Sequence, residues 1–236
     1  MNVNVQKIRN RLRKLADKNK AKVLRGFFKT GPGHYGEGDV FLGVAVPVLR
    51  KVAKECGTTP LPEAIGLLRS AIHEERLLAL LLLMHAYTNA NDSLKKKIYT
   101  AYLKNSCYIN NWDLVDLSAP NIVGSYLRDK SKKPLYTLAK SRNLWEKRIA
   151  ILATFHFIKK NDVSDALQIS EILLNDDHDL IHKAVGWMLR EVGKRDLHAE
   201  EKFLRQHCKK MPRTMLRYAI ERFPEVKRQR YLNGSV

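Results

Sequence analysis

Apolar residues recur at helical spacing along nearly the whole chain, while the strict alternation of a half-buried strand almost never appears. The clearest helical stretches are Pro47 to Glu55, Glu75 to Tyr87, Leu94 to Tyr102, Trp145 to Lys159, Ile181 to Gly193 and Met215 to Phe223. Near the start, Val5, Ile8, Leu12 and Leu15 share one helical face. The stretches also resemble one another: "EERLLALLLLMHAY" from 74, "WEKRIAILATFHFI" from 145, "IHKAVGWMLREV" from 181 and "MLRYAIERF" from 215. Each places a basic residue ahead of an apolar helix. Arg76 to Arg148 is 72 positions, twice 36; Arg148 to Lys183 is 35; Lys183 to Arg217 is 34; one 36-residue step from Arg76 lands on Trp112. A drifting period near 35 fits a two-helix repeat of the HEAT kind. Such units cannot bury their faces alone and stack into a curved array with a concave surface.

The expected fold is therefore all-α, a HEAT-like helical-repeat solenoid forming a single curved domain with a concave basic groove. One domain is expected over 1–236: an N-terminal helical region (1–28), a Gly-rich loop (29–43), the repeats (44–223) and a basic C-terminal tail (224–236). The loop, "KTGPGHYGEG" from 29, lacks the G-K-[ST] of a phosphate-binding P-loop and reads as a connector.

Charge narrows the partner. Lys plus Arg is 43 against 24 Asp plus Glu, a formal net charge of +19. Self-repulsion on that scale costs stability, and a polyanion, most simply nucleic acid, accounts for it. If the basic residue of each repeat occupies an equivalent position, the side chains form a row that tracks a phosphate backbone. The competing reading is that each Lys or Arg merely solvates an outer helix face.

Cys56, Cys107 and Cys208 are odd in number and include no C-x-x-C, which argues against a disulfide framework or a zinc knuckle and suits a reducing cytosol. The longest apolar run, about Leu77 to Met84, is too short to span a bilayer. The start, "MNVNVQKIRNRLRKLADKNK", is basic without the apolar core of a secretory signal. The expected setting is cytoplasmic, nucleoid-associated in a prokaryote, with no membrane, no obligate protein partner and a monomeric chain.

His178 and His182 stand four apart near Asp176, Asp177 and Asp179, but no H-E-x-x-H or equivalent third ligand accompanies them. Neither a metal nor another cofactor is expected. No G-x-S-x-G and no Cys–His pairing supports covalent acyl chemistry. The three tryptophans are Trp112, Trp145 and Trp187; Gly186 leaves room beside the last. In "NNWDLVDL" from 110, Trp112 and Asp116 are one helical turn apart. Asp113 reads as favourable charge in the first turn of a short helix. That helix is expected to end before Ser118, which would cap a new one with Pro120 in its first turn.

The segments "FLGVAVPVLRKVAKE" (41–55), "NNWDLVDLSAPNIVGSYL" (110–127), "LWEKRIAILATF" (144–155) and "KAVGWMLREVGK" (183–194) resemble the AlkD-like DNA alkylation repair glycosylases over roughly residues 20–223. The resemblance implies hydrolysis of the N-glycosidic bond of cationic N3- or N7-alkylpurines in double-stranded DNA. It implies catalytic roles for Asp116, Trp112 and Trp187, and maps the arginine of its W-x-x-R motif to Arg148. DNA-binding roles are expected for Arg148, Lys183, Arg190 and Arg76, with Arg76, Arg148 and Lys183 drawn from the row of repeated basic positions. The resemblance further implies work on the backbone-gripped duplex without a deep base pocket. One departure bears on lesion preference: Ala45 stands where the family often has a polar or basic residue before the proline of its "LG…P" motif.

The residue types suit such a reaction. An N3- or N7-alkylated purine is already cationic and leaves neutral, so the acid of a two-carboxylate sugar hydrolase is dispensable. What remains is positive charge developing on the deoxyribose, which a carboxylate and aromatic faces stabilise. Two other classes stay open on the residues alone: a non-catalytic protein that binds DNA structure, and a HEAT-type scaffold for protein or RNA.

Overall fold

The computed structural model describes residues 5–236; the first four residues of the expected N-terminal region lie outside the described ones. The fold is all-α as the periodicity demands; the described residues are 70% helical and include no strand, and an isolated parallel bridge joins Val40 to Ile72. Contacts divide the chain into two compact units, 1–114 and 115–236.

The first unit is organised by the helix His73–Thr88. Leu77, Leu78, Ala79, Leu80, Leu81, Leu82 and Leu83 are all buried, so this helix is apolar on every side and lies inside the unit. Each buried leucine contributes roughly 1.5–3 kcal/mol relative to exposure. Leu61–Leu68 and Val46–Cys56 pack against it. Pro60 and Pro62 flank the start of Leu61–Leu68; there proline is at home, since the first N–H groups of a helix need no partner within it. In Val5–Lys14, Ile8 and Leu12 are buried, whereas Leu15, past the helix end, is 41% exposed.

The 29–43 segment is irregular, and it is held from the start of the His73–Thr88 helix. The Glu74 carboxylate accepts from the backbone N–H groups of Leu42 (2.9 Å), Gly43 (2.7 Å) and Val44 (3.2 Å). Gly43 has φ 84°, and a Cβ there would lie 2.1 Å from the Asp17 carbonyl oxygen. The glycine of "FLG" thus answers to backbone geometry and crowding together.

The second unit centres on Asp179–Gly193, against which Leu144–Ala153, Ser164–Ile172, Leu197–His207 and Arg213–Ala219 pack. Gly186 differs from its reading: a Cβ on it would meet the Met215 carbonyl oxygen at 2.4 Å and Tyr218 Cβ at 2.5 Å. The glycine admits a neighbouring helix rather than leaving space beside Trp187. The expected helix from Trp145 to Lys159 is interrupted at Thr154, dividing it into Leu144–Ala153 and Phe155–Ile158; the buried Thr154 hydroxyl donates to the Ile151 carbonyl at 2.6 Å. The basic segment after 223 carries a helix, Glu225–Asn233, closed by Gly234 in the left-handed conformation.

The expected break before Ser118 does not occur. Trp112–Ala119 continues into a π-helical turn, Pro120–Gly124, and then Ser125–Leu127. Pro120 lacks an N–H and its ring would crowd the carbonyl four residues back, at Asp116. The chain widens instead of stopping, as helices do at single π turns. The Asn121 side-chain amide donates to the Leu117 carbonyl at 2.8 Å, and Ser118 is fully buried rather than a cap.

Candidate active site

Asp116 lies on Trp112–Ala119, one turn before the π-helical segment. Its carboxylate is gripped by Arg148 from Leu144–Ala153: Nε donates to Oδ1 and Nη2 donates to Oδ2, each at 2.8 Å. This is the fork geometry in which guanidinium fixes both carboxylate oxygens. Arg148 is 5% exposed, and its Nη1 also donates to the Leu180 carbonyl at the start of Asp179–Gly193. The Asp116 side chain retains 18% exposure. A partly exposed carboxylate is thus aimed by an almost completely buried cation.

Trp187, from Asp179–Gly193, donates its Nε1–H to Glu191 Oε1 at 3.1 Å and sits 5.8 Å, ring to ring, from Phe155. It is half-buried, with its polar edge already satisfied by its own helix. Trp112 stacks on Phe28, with centroids 5.3 Å apart, and meets Phe27 edge-on at 5.9 Å. Trp145 is a core residue, 8% exposed.

The four basic residues assigned to phosphates each have an acidic partner. Arg76 bonds Asp39 at 2.6 Å and the Ser70 carbonyl at 3.0 Å, and is 3% exposed. It is a core ion-pair residue, and its guanidinium offers no open face to a phosphate. Arg148 is likewise buried and serves Asp116. Lys183 pairs with Asp179 at 2.7 Å, one turn back on its own helix, and Arg190 pairs with Glu221. The repeated basic position is real at Arg76 and Arg148, but what repeats there is a buried pair with a carboxylate.

A second constellation escaped sequence reasoning. His73 bonds a carboxylate through each ring nitrogen: Asp39 Oδ2 at Nδ1 (3.3 Å) and Asp113 Oδ2 at Nε2 (2.8 Å). Asp39 also accepts from Arg76 and from Asn111 Nδ2 at 3.2 Å. Phe41 stacks on the imidazole at 4.6 Å and Phe28 lies 5.1 Å from it. An ionised carboxylate only accepts, so a carboxylate facing each ring nitrogen favours the doubly protonated imidazolium. Burial pulls its pKa down, but the bonds to Asp113 and Asp39 outweigh burial and raise it. For Asp39 burial acts upward, and the His73 and Arg76 cations with Asn111 bring its pKa below the ordinary value. Asp113 is thus more than a helix-start charge: it ties the start of Trp112–Ala119 to the start of His73–Thr88. The available signal was "HEER" at 73–76, four ionisable residues at the mouth of an otherwise apolar helix.

His178 Nδ1 accepts from the Leu180 N–H at 3.1 Å, and His182 Nε2 donates to the Asp176 carbonyl. Both imidazoles thus serve local backbone, and no cluster of three or more metal-ligating side chains occurs among the described residues. Among the described residues no helix is long and apolar enough to cross a membrane. Ala45 is exposed at the N-cap of Val46–Cys56 and makes no side-chain cap.

Residues 8–223 match the family described as "DNA alkylation repair enzyme". Two solved structures share the fold: a predicted DNA alkylation repair enzyme from Enterococcus faecalis, and AlkD2 from Streptococcus mutans. The first is 17% identical with a TM-score of 0.69, over 89% of this chain and 97% of that one. The second is 18% identical with a TM-score of 0.55, over 94% and 100%. No curated protein matches the sequence.

Proposed function

From the premise that this chain belongs to the family of DNA alkylation repair enzymes, we propose that it is a glycosylase releasing N3- and N7-alkylpurines from double-stranded DNA. The observation that carries the reading is the carboxylate of Asp116, partly exposed and fixed at both oxygens by Arg148.

The bond to be broken joins C1′ of deoxyribose to a purine nitrogen. In a cationic alkylpurine the electron pair of that bond returns to a positively charged ring, and the base departs neutral. Positive charge builds on C1′ and the ring oxygen. Water adds to C1′ and loses a proton, leaving an abasic sugar. Asp116 stabilises the developing cation and orients the water. At about 4 Å and an effective dielectric near 20 the attraction is roughly 4 kcal/mol before desolvation is subtracted, an upper limit of about 10³-fold in rate. Arg148 contributes preorganisation: a carboxylate already aligned needs little rearrangement as charge develops. By its resemblance to the family's motif tryptophans, Trp187 and Trp112 offer aromatic faces to the cationic base or sugar, worth roughly 0.5–2 kcal/mol each.

The deciding experiment is incubation with duplex DNA carrying N3-methyladenine or N7-methylguanine, followed by chromatography of released base. Release by the wild type and its loss in Asp116→Asn support the reading. A protein that binds the duplex and releases neither base overturns it.

A further inference from the structure

The four cations expected to hold phosphate are paired with acids, and the second unit carries a different group of cations. His156, Lys159 and Lys160 follow one another at the i, i+3, i+4 spacing that places side chains on one side of a helical turn. The turn is helical at this point: the Lys159 N–H donates to the Phe155 carbonyl and the Lys160 N–H to the Phe157 carbonyl. Gly124, at the end of the π-helical segment, is pressed against the same region. A Cβ on Gly124 would lie 2.8 Å from His156 Cβ and 2.2 Å from the Ala153 carbonyl oxygen. Arg128 comes one turn after Gly124. The Lys159 ammonium lies 4.1 Å from the centroid of Phe155, the ring that neighbours Trp187. The cluster therefore adjoins the Trp187 part of the candidate active site.

We infer that Arg128, His156, Lys159 and Lys160 form a phosphate-binding site for the DNA backbone, and that His156 takes up a proton when the phosphate arrives. The inference rests on the family's action on DNA and not on the excision chemistry. Arg128, Lys159 and Lys160 are exposed and His156 is half-buried. Asp129 acts on the imidazole against these cations; it is 87% exposed and lies 3.9 Å from the Arg128 guanidinium. Ser164–Ile172 and Asp179–Gly193 also pack on this turn, and no ionised group on them ranks with Arg128, Lys159, Lys160 and Asp129 in acting on the ring. Burial, then the Arg128, Lys159 and Lys160 charges, hold the pKa of His156 below its ordinary value. A phosphate would offset the cations and offer an acceptor to a protonated ring nitrogen. Its arrival must raise that pKa. The bound state then carries more protons, so affinity falls as pH rises through the pKa of the complex.

The test uses the full chain and an unmodified fluorescein-labelled duplex, with anisotropy recorded across a salt series. Each backbone contact contributes about 0.9 to the slope of log affinity against log salt. The variant Arg128→Gln/Lys160→Gln should lose about 1.8 of that slope. In parallel, the His156 ring resonance is titrated with and without duplex, and its midpoint should rise on binding. An unchanged slope in the double variant, or a His156 midpoint that does not move, overturns the site. Because no lesion or excision is involved, failure here is separate from failure to release methylated base.

Discussion

Asp116 and Arg148 meet through two parallel hydrogen bonds of 2.8 Å, although they are 32 residues apart in sequence. The pair joins Trp112–Ala119 to Leu144–Ala153, so under the proposed function one interaction would serve both fold and chemistry. Asp116→Asn keeps the shape and removes the charge. Excision measured in single turnover with saturating enzyme should fall by roughly 10²-fold or more, equivalent to about 2.7 kcal/mol. Duplex binding should persist, since removing a negative charge cannot weaken attraction for phosphate. Full activity in this variant would end the carboxylate mechanism.

Arg148→Met separates the two roles. It strands the Asp116 carboxylate and the Leu180 carbonyl at once. Breaking a buried pair from one side costs about 3–5 kcal/mol, and the partial exposure of Asp116 places the expectation at the lower end. Urea denaturation should show that loss as a shift in midpoint at constant slope. Arg148→Lys should recover only part of it, because an ammonium cannot hold two oxygens in a planar fork.

The all-α class was legible because a period of 3.6 leaves its mark in every local window. The long helix at 73–88 was found nearly to its ends, since seven consecutive apolar residues from Leu77 to Leu83 cannot be mistaken for surface. Pairings across sequence were not legible. Asp113 looked like a first-turn charge because its partner His73 lies 40 positions away. Arg76 looked like a phosphate ligand because a basic residue opening a helix reads the same whether buried or exposed. Pro120 looked like a helix start because local propensity cannot show that buried neighbours, here Ser118, Ile122 and Val123, hold a widened helix together. The motif residues Asp116 and Arg148 were singled out by resemblance, while their contact came only from the fold.

His73 sets a pH dependence with a definite sign. Its pKa is raised in the folded chain, so its contribution is fully present below the unfolded value near 6.5 and is lost as pH rises through the folded value. Asp39 works at the other end: its pKa is lowered, so its contribution is present above 3.8 and lost as pH falls through the folded value. In His73→Gln the alkaline loss attributable to this residue should vanish from a plot of unfolding free energy against pH. The variant should also be less stable than wild type near neutrality by about 3–5 kcal/mol, because Asp39 and Asp113 lose a buried cation. Asp113→Asn should show a smaller destabilisation, about 1–3 kcal/mol. An alkaline limb unaltered by His73→Gln would remove the imidazolium from the network.

Gly186→Ala should be costly for steric reasons alone. The added methyl would stand 2.4 Å from the backbone oxygen of Met215 and 2.5 Å from Tyr218 Cβ, so Arg213–Ala219 would have to move away from Asp179–Gly193. Overpacking of this kind costs about 1–3 kcal/mol, against a gain of roughly 0.5–1 kcal/mol from helix propensity. Thermal melting should show a net loss of stability. An unchanged or raised melting temperature would mean the two helices separate without penalty.

Glu200 offers the opposite case, a residue whose replacement should stabilise. It is 2% exposed on Leu197–His207, and its Oε1 is buried without a hydrogen-bond partner. Gly193 makes the room: a Cβ there would fall 1.7 Å from Glu200 Oε2. Burial, with the neighbouring Glu201 charge adding to it, pushes the carboxyl up to about 8, while Lys227 and Arg190 act against the rise. An acid with a raised folded pKa binds its proton more tightly in the folded chain. Stability is therefore lost progressively as pH rises from the unfolded value of 4.5 to the folded value near 8. Glu200→Gln keeps the size of the protonated side chain and has no proton to lose. The variant and wild type should match near pH 4.5 and diverge above it, the variant becoming more stable by an amount on the order of a few kcal/mol at pH 8. Parallel urea curves at several pH values measure the divergence. Curves that stay together across the range would show Glu200 ionised in the fold without penalty, held by Lys227 and Arg190.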